Sequence, residues 1–316
     1  MDLMCDILDV SRSGFYAWQK RPVSPRHQRQ AALVAKIRQA HTQSRQTYGS
    51  PRITRQLRNQ DVPCCRNTVA FLMKTHGIVA KSRKKFRVQT TDSQHDHPIA
   101  PNVLDQQFAQ DQPDRVWVSD ITYVPTDEGW LYLAAVLDLC SRRVIGWSMT
   151  DHLEASLVIG AMEMALQHRS PPPGLLVHSD RGVQYACDAF EALRTNHNLH
   201  ASMSRKGNCY DNAVMESFFG TLKTELVYHE RYATREAARA SLFEYIEVFY
   251  NRQRLHSSLD YQSPESFEAS LRTTGKIVPS PRPPFMGKVI YPIYFHCKKL
   301  PSSFNQRMLL KFLFFS

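Results

Sequence analysis

The stretch from Trp117 to His178 leaves few folds open to this chain. Trp117 to Val124 alternates apolar and polar residues as a half-buried strand does, Leu131 to Leu139 is an apolar run long enough for a buried strand, and Arg142 to Met149 makes a third. The links between them are short, so the three are expected to pair as an antiparallel meander. Ala155 to Gln167 then carries Leu157, Ala161, Met164 and Leu166 at helical spacing. Pro171-Pro172-Pro173-Gly174 ends that helix before a strand from Leu175 to His178. A crossover helix that leads into a new strand implies parallel pairing. The expected class is α/β, a mixed sheet with helices on its faces.

Helical patterns flank this core. Ser11 can cap a short helix near the start, where the alternatives are the end of a helix-turn-helix or a frayed terminal helix. Gln28 to Ser44 has Leu33, Ile37 and Ala40 at helical spacing, and Pro51 to Gln60 and Asn67 to Thr75 repeat the pattern in shorter pieces. Three short helices predict a helix-turn-helix unit, with Asn67 as N-cap of its last helix and Arg66 at that helix's start. The run Lys81-Ser82-Arg83-Lys84-Lys85-Phe86-Arg87 follows, either a solvated linker or a phosphate contact. Thr234 is placed to cap a later helix through Asn251, with the remainder irregular. These patterns divide the chain into a helical DNA-binding region at 1–88, a polar linker at 89–113, a catalytic core at 114–230, a helical extension at 231–272 and an atypical, poorly ordered tail at 273–316.

The charge of +11 at pH 7 and a pI near 9.4 attract a polyanion, which favours nucleic acid over small acidic substrates. Seven cysteines without C-x-x-C spacing predict a reduced, cytoplasmic protein, and no run reaches the roughly 18 apolar residues of a membrane span. A zinc site built from Cys64, Cys65 and His41, His76, His95 and His97 is set aside, because adjacent cysteines lack the gap of a zinc knuckle.

Three acids stand out. Asp120 lies inside the first strand on the face of Val118 and Thr122, where an uncompensated carboxylate is costly. Asp180 follows a buried strand at its C-terminal end, where open α/β sheets place ligands. Glu216 begins a helix that Asp211 or Asn212 can cap and whose Val214, Phe218 and Leu222 face away from it. Singly, each has a plainer reading: a strand-edge charge, a turn former, an exposed helix residue. Together they offer hard oxygen ligands suited to Mg²⁺ or Mn²⁺, and two such ions roughly 4 Å apart would clamp the attacking and leaving oxygens of a phosphodiester. Lys223 lies two helical turns beyond Glu216, with Gly220 between, and is either a phosphate contact or a solvated lysine. Asp138 is read as a turn cap with Ser141 rather than a fourth ligand.

The segments Trp117-Val118-Ser119-Asp120-Ile121-Thr122-Tyr123, His178-Ser179-Asp180-Arg181-Gly182-Val183-Gln184-Tyr185 and Asn212-Ala213-Val214-Met215-Glu216-Ser217-Phe218-Phe219 resemble the three acidic motifs of bacterial insertion-sequence transposases. The likeness is to the second reading frame, OrfB, of the insertion-sequence-three family, relatives of retroviral integrases. It extends through Ser202 to Asn208, Tyr250 to Leu259 and Pro264, and spans residues from about 4 to 270. The resemblance implies a ribonuclease-H-like mixed five-stranded sheet with flanking helices, preceded by an all-α helix-turn-helix region. It implies a DNA transposase that frees a 3′-OH at element ends and joins it to another strand, with Asp120, Asp180 and Glu216 as metal-binding catalytic residues. DNA contacts are expected from Lys223, Arg205, Lys206 and Asn208, and from Arg66, Arg83, Lys84 and Lys85. Arg252, Arg254 and His256 either bind phosphate or pack the last helix. Expected partners are double-stranded DNA, further copies of the chain on DNA, and a first-frame (OrfA) fusion or partner chain, since neither a full helix-turn-helix nor heptads precede Met1. The rival readings are a ribonuclease-H-like nuclease and a catalytically silent DNA-binding regulator.

Overall fold

The structure, a computed structural model, describes residues 2–82, 98–205 and 209–273. Its centre is a five-stranded sheet in the order β3-β2-β1-β4-β5. The strands are β1 (Val116–Thr126), β2 (Gly129–Asp138), β3 (Val144–Thr150), β4 (Leu176–Ser179) and β5 (His200–Met203). The first three form the expected antiparallel meander, and β4 and β5 join in parallel on the other side of β1. Strand β5 had no counterpart in the hydrophobic pattern. At four residues it is too short for alternation to register.

Alternation along β1 sends successive side chains to two cores. Trp117 joins Ala134, Val136, Leu157, Val158 and Ala161 beneath helix α6 (Ala155–Arg169), whereas Val118 joins Leu133, Leu137, Phe218 and Leu222 on the opposite face. For the numbering used below, α1 to α5 are Asp2–Ile7, Arg12–Gln19, Pro25–Gln43, Ser50–Arg58 and Arg66–Thr75. After β4 come α7 (Val183–Ala186), α8 (Asp188–Asn196), α9 (Ala213–Glu225), α10 (Arg235–Phe243) and α11 (Pro264–Thr273). The face of α6 that goes inward is Leu157, Val158, Ala161, Met162 and Ala165. Met164 and Leu166, expected inside, flank that face half-buried, and the Met164 sulfur accepts the Trp147 N–H at 3.3 Å. Helix α6 presses so closely on β3 that a Cβ on Gly146 would stand 2.2 Å from the Ala161 carbonyl oxygen, so only glycine fits there.

Local capping explains most helix starts. Ser11, Ser24 and Thr234 each accept a backbone N–H from three residues on. Helix α5 departs from expectation, since it starts one residue earlier and Cys65 caps it, its sulfur accepting the Thr68 N–H at 3.4 Å, in place of Asn67. The helix that Thr234 begins also differs. Its α-helical part ends at Phe243 and continues as a π-helix over Glu244–Tyr250. The following residues are not irregular throughout: His256 and Gln262 form an antiparallel bridge, and α11 follows.

Helices α3 to α5 bury Ile37, Ile53, Leu57, Val69 and Leu72, and this core runs without a break into that of the sheet. Polar contacts fasten the junction. The Tyr48 hydroxyl accepts the Leu255 N–H at 2.7 Å, the Lys81 ammonium donates to the Glu225 carbonyl at 3.1 Å, and Arg45 pairs with Glu244. Residues 98–113 carry no helix or strand, yet Leu104 is buried and the Val103 and Leu104 N–H groups both donate to Ser202 Oγ. Among the described residues no helix is long and apolar enough to cross a membrane.

Candidate active site

The sheet register itself brings two acids together. Strands β1 and β4 pair in parallel only as far as Val118 and His178, and Asp120 and Asp180 each lie two residues beyond. Equal offsets from a parallel pair place both carboxylates at the notch where the strands part. The Asp120 Oδ1 accepts its neighbour Ile121 N–H at 2.7 Å, and Asp180 Oδ1 accepts the Gly182 N–H at 3.0 Å. Helix α9 lies across the same face of β1 through Met215, Phe218 and Leu222, which leaves Glu216 in its first turn at the exposed rim. Neither Asp211 nor Asn212 caps that helix through its side chain. Asp211 is spent on Arg205 and Gln106, while Asn212 donates to the Ser119 carbonyl at 3.4 Å.

The electrostatics show that the three acids share one site. Asp120 is raised well above the usual carboxylate range, first by burial and then by Asp180 and Glu216; the Ile121 N–H and the Lys223 ammonium oppose this only in part. Lys223 in turn is lowered by burial and supported by Asp120, and its ammonium sits 4.6 Å over the Tyr123 ring. The floor of the notch is held by Ser119, which donates to the Ala135 carbonyl at 3.1 Å and lies 2.8 Å from the Tyr185 hydroxyl.

His178 fixes the end of β4. It is fully buried, with Nδ1 2.9 Å from Ser202 Oγ and Nε2 3.2 Å from Ser204 Oγ. Ser202 Oγ already accepts two backbone N–H groups, which fills its lone pairs, so its own proton goes to His178 Nδ1. His178 is therefore the Nε2–H tautomer and donates to Ser204, which passes its proton to the Ser179 carbonyl at 3.3 Å. Burial pushes this imidazole down to about 4, so the chain of hydrogen bonds stays neutral at physiological pH.

With this geometry in place, sequence comparison is informative. Models of the integrase core domain match residues 110–209 and 216–271, so that Asp120 and Asp180 fall in the first match and Glu216 begins the second. A model of the HTH-like domain matches residues 27–86. Transposase InsF for insertion sequence IS3A, from Escherichia coli strain K12, is 46% identical over 267 residues, 84% of this chain and 92% of its own length. The chain belongs to the IS3-family transposases. It is a DNA transposase of the DDE, integrase-core type, with a ribonuclease-H-like fold. A 31 kDa protein of insertion element IS600 from Shigella sonnei is 45% identical over 264 residues, 84% of this chain and 97% of its own. Among solved structures, the simian T-cell lymphotropic virus intasome in complex with a PP2A regulatory subunit aligns over 80% of each chain at 17% identity and TM-score 0.45. The HTLV-2 integrase catalytic core in complex with magnesium aligns over 49% of this chain and 96% of its own at 16% identity and TM-score 0.38.

The transposase places its other expected DNA contacts unequally. Arg66 is exposed on the first turn of α5, and Arg252 is exposed 3.8 Å from Glu265. Arg254 is 3% exposed and its guanidinium is taken up by Glu225, so it is a structural ion-pair partner rather than a phosphate contact. His256 is likewise turned inward, edge-on to Tyr250 and 3.0 Å from Arg254. Arg205 is half exposed but tied to Asp211 at 2.8 Å and Asp105 at 3.2 Å. Lys206, Asn208, Arg83, Lys84 and Lys85 lie outside the described residues. Asp138 is a turn cap, accepting both the N–H and the hydroxyl of Ser141. Tyr185, Tyr123, Trp130 and Glu225 were not singled out as site residues. Only the first two had a signal, their place within the acidic motifs.

Proposed function

We propose that Asp120, Asp180 and Glu216 are the catalytic acids of this transposase and hold two Mg²⁺ or Mn²⁺ ions. The observation that carries this reading is the β1–β4 register, which sets Asp120 and Asp180 level where the two strands part; Asp120 is raised there, first by burial and then by Asp180 and Glu216, and divalent cations would relieve that. The donor set fits such ions. Among the described residues no three His, Cys, Asp or Glu side chains are gathered closely enough to hold an ion together, but magnesium takes only one or two carboxylates from its protein and fills its shell with water and substrate phosphate. When bound, such ions supply Lewis-acid activation of the attacking oxygen and charge stabilisation at the leaving oxygen of an in-line displacement. The protein's part is to fix the carboxylates by the β1–β4 register, to keep His178 neutral behind them, and to present Lys223 to a phosphate of the element end. Water and then the freed 3′-OH are the successive nucleophiles.

Around this centre we place DNA recognition in residues 1–88, with Arg66 on the exposed start of α5, the connection in 89–113, catalysis in 114–230 and its support in 231–272. Assembly of several copies on DNA, and a first-frame partner for end recognition, complete the reading. A nuclease without strand transfer would need no DNA-recognition helices, and a silent regulator would need no intact acid set; the presence of both features here favours transposition. The test is to incubate the purified protein with end duplexes of its element and Mg²⁺ and to resolve nicked and joined products on a denaturing gel. Asp120→Asn, Asp180→Asn and Glu216→Gln should each lower joining by about 1000-fold or more, equivalent to about 4 kcal/mol, while leaving DNA binding largely intact. Near-normal joining by any one of them removes that acid from the site.

A further inference from the structure

Past the end of β4 one edge of β1 is open, and beyond the last β2–β3 pair at Tyr132 and Thr150 strands β1 and β2 close in a hairpin that carries an exposed Trp130 against a half-buried Tyr123. Trp130 is 48% exposed, a costly state for an indole unless something covers it. Its ring stands edge-on to Tyr123, with centroids 4.7 Å apart at 83°. Tyr123 lies under the Lys223 ammonium, the same ammonium that interacts with Asp120. Lys223 therefore links the charge of Asp120 to the Tyr123 ring, and Tyr123 in turn touches Trp130.

The tip is held firmly. Gly129 takes the turn at φ +106°, its carbonyl accepts the Thr126 hydroxyl at 2.6 Å, and the Asp127 N–H donates to the Tyr232 carbonyl at 2.9 Å. Arg235 fastens both the Trp130 carbonyl, through Nε at 3.1 Å, and Glu128, through its backbone N–H at 2.8 Å. Of the two acids at the tip, Asp127 is paired with Arg231 at 3.3 Å, and Glu128 accepts the Arg235 backbone N–H. A rigid backbone that presents a bare indole is pre-organised for a flat partner.

We infer that Trp130, braced edge-on by Tyr123, is a stacking platform for an unpaired nucleobase of the DNA close to the reacting phosphodiester. The reading rests on the assignment of Asp120 to the catalytic site, and the distances are consistent with it. Tyr123 is three residues along β1 from Asp120, about 10 Å at roughly 3.3 Å per residue, and by alternation on the other face of the sheet, so that Lys223 is the group that reaches both. At about 3.4 Å of rise per nucleotide, the platform meets a base within about four nucleotides of the phosphate at the carboxylates. The chemistry fits a nucleotide at both ends, with an aromatic face for the base and an ammonium for its phosphate. Bases near the cut must leave the duplex if the strand is to bend into a notch, and a platform of this kind offsets the stacking they lose.

The test uses the full chain and two end duplexes, one fully paired and one with an unpaired stretch of four nucleotides spanning the cut. Trp130→Ala should weaken binding of the unpaired end about 5- to 150-fold, the range of one lost base–aromatic stack, and should change binding of the paired end much less. Trp130→Phe should recover most of the loss, which a misfolded protein could not do. The salt dependence of binding should stay as in the unsubstituted protein, in contrast to Lys223→Ala. If Trp130→Ala binds the unpaired end as tightly as the unsubstituted protein, or if it instead changes only the mass of the free protein in light scattering, the platform is overturned, and in the second case the indole belongs to a contact between copies. The two assignments fail separately: Asp120→Asn should bind the unpaired end normally, and if it also joins normally while Trp130→Ala still loses binding, the platform stands and the catalytic reading of Asp120 falls.

Discussion

Glu216 and Glu225 lie nine residues apart on the same helix, and their surroundings have opposite sign. Near Glu216, Asp120 is raised by burial and then by Asp180 and by Glu216 itself, and Lys223 opposes this only in part. Glu225 is 6% exposed and surrounded by donors: Arg254 Nε at 2.8 Å and its terminal nitrogen at 2.7 Å, the Tyr245 hydroxyl at 2.7 Å, and Arg52 at 3.8 Å. The second arrangement surrounds one carboxylate with cations and donors of the protein and ties α4, α9 and the segment after the π-helix into one unit. The first sets carboxylates against Asp120, a strain that a cation from outside would relieve. One end of α9 is thus built for stability and the other for chemistry. Glu268 repeats the structural pattern: burial would raise it, but Arg169 and Arg143 bring it below the usual carboxylate range.

The largest effect should come from breaking the satisfied end. Glu225→Gln leaves the buried Arg254 guanidinium without a counter-charge, and urea unfolding should register a loss of about 3–5 kcal/mol. Arg254→Met should cost a similar amount. The double variant should cost clearly less than the sum, since it removes both charges together. Additive losses would mean that the pair does not hold the junction.

Asp138 sharpens the comparison, because it is a fully buried carboxylate held by hydrogen bonds from Asp114 and Ser141 rather than by a direct ion pair. It accepts the Asp114 N–H at 2.8 Å and both donors of Ser141, yet burial still pushes it up to about 6. A carboxylate raised in the folded state holds its proton after the unfolded chain has released it. Its contribution is therefore fully present below about pH 4 and is lost as pH rises to about 6. The loss is on the order of 3 kcal/mol. Asp138→Asn cannot titrate, so the stability difference between the two proteins should shift in favour of the variant by up to that amount between pH 4 and pH 7. A difference independent of pH would show that the three hydrogen bonds already compensate the charge.

How much of this was legible in the sequence follows the range of the interactions involved. The meander, the crossover and the caps at Ser11 and Thr234 depend on neighbours a few residues away, and the chain displays them. The two aspartates were legible as acids at strand ends, but their level placement depends on the β1–β4 register, which no local pattern encodes. Arg254 looked like a candidate phosphate contact because its partner Glu225 is 29 residues upstream, and Arg205 because nothing near it announces that Asp211 will turn back to meet it. Trp130 lay just before the strand read from Leu131, and only the sheet showed that it belongs to β2 and stays exposed near the tip of the hairpin. Strand β5 and α11 escaped for a simpler reason: the one is too short, and the other follows a bridge that interrupts the helical period.

The smallest expected effect is also the most direct test of the claim that the two ends of α9 differ in kind. Asp120→Asn and Glu225→Gln should be unfolded in urea at pH 8, first with chelator and then with Mg²⁺. Asp120 is raised in the folded state, so at pH 8 its ionised form costs stability, and the neutral amide removes that cost. In chelator Asp120→Asn should be at least as stable as the unsubstituted protein while Glu225→Gln is much weaker, and Mg²⁺ should stabilise the unsubstituted protein and Glu225→Gln but not Asp120→Asn. If Asp120→Asn is destabilised in chelator and responds to Mg²⁺ as the others do, Asp120 is a structural carboxylate like Glu225 and the contrast between the two ends of the helix is gone.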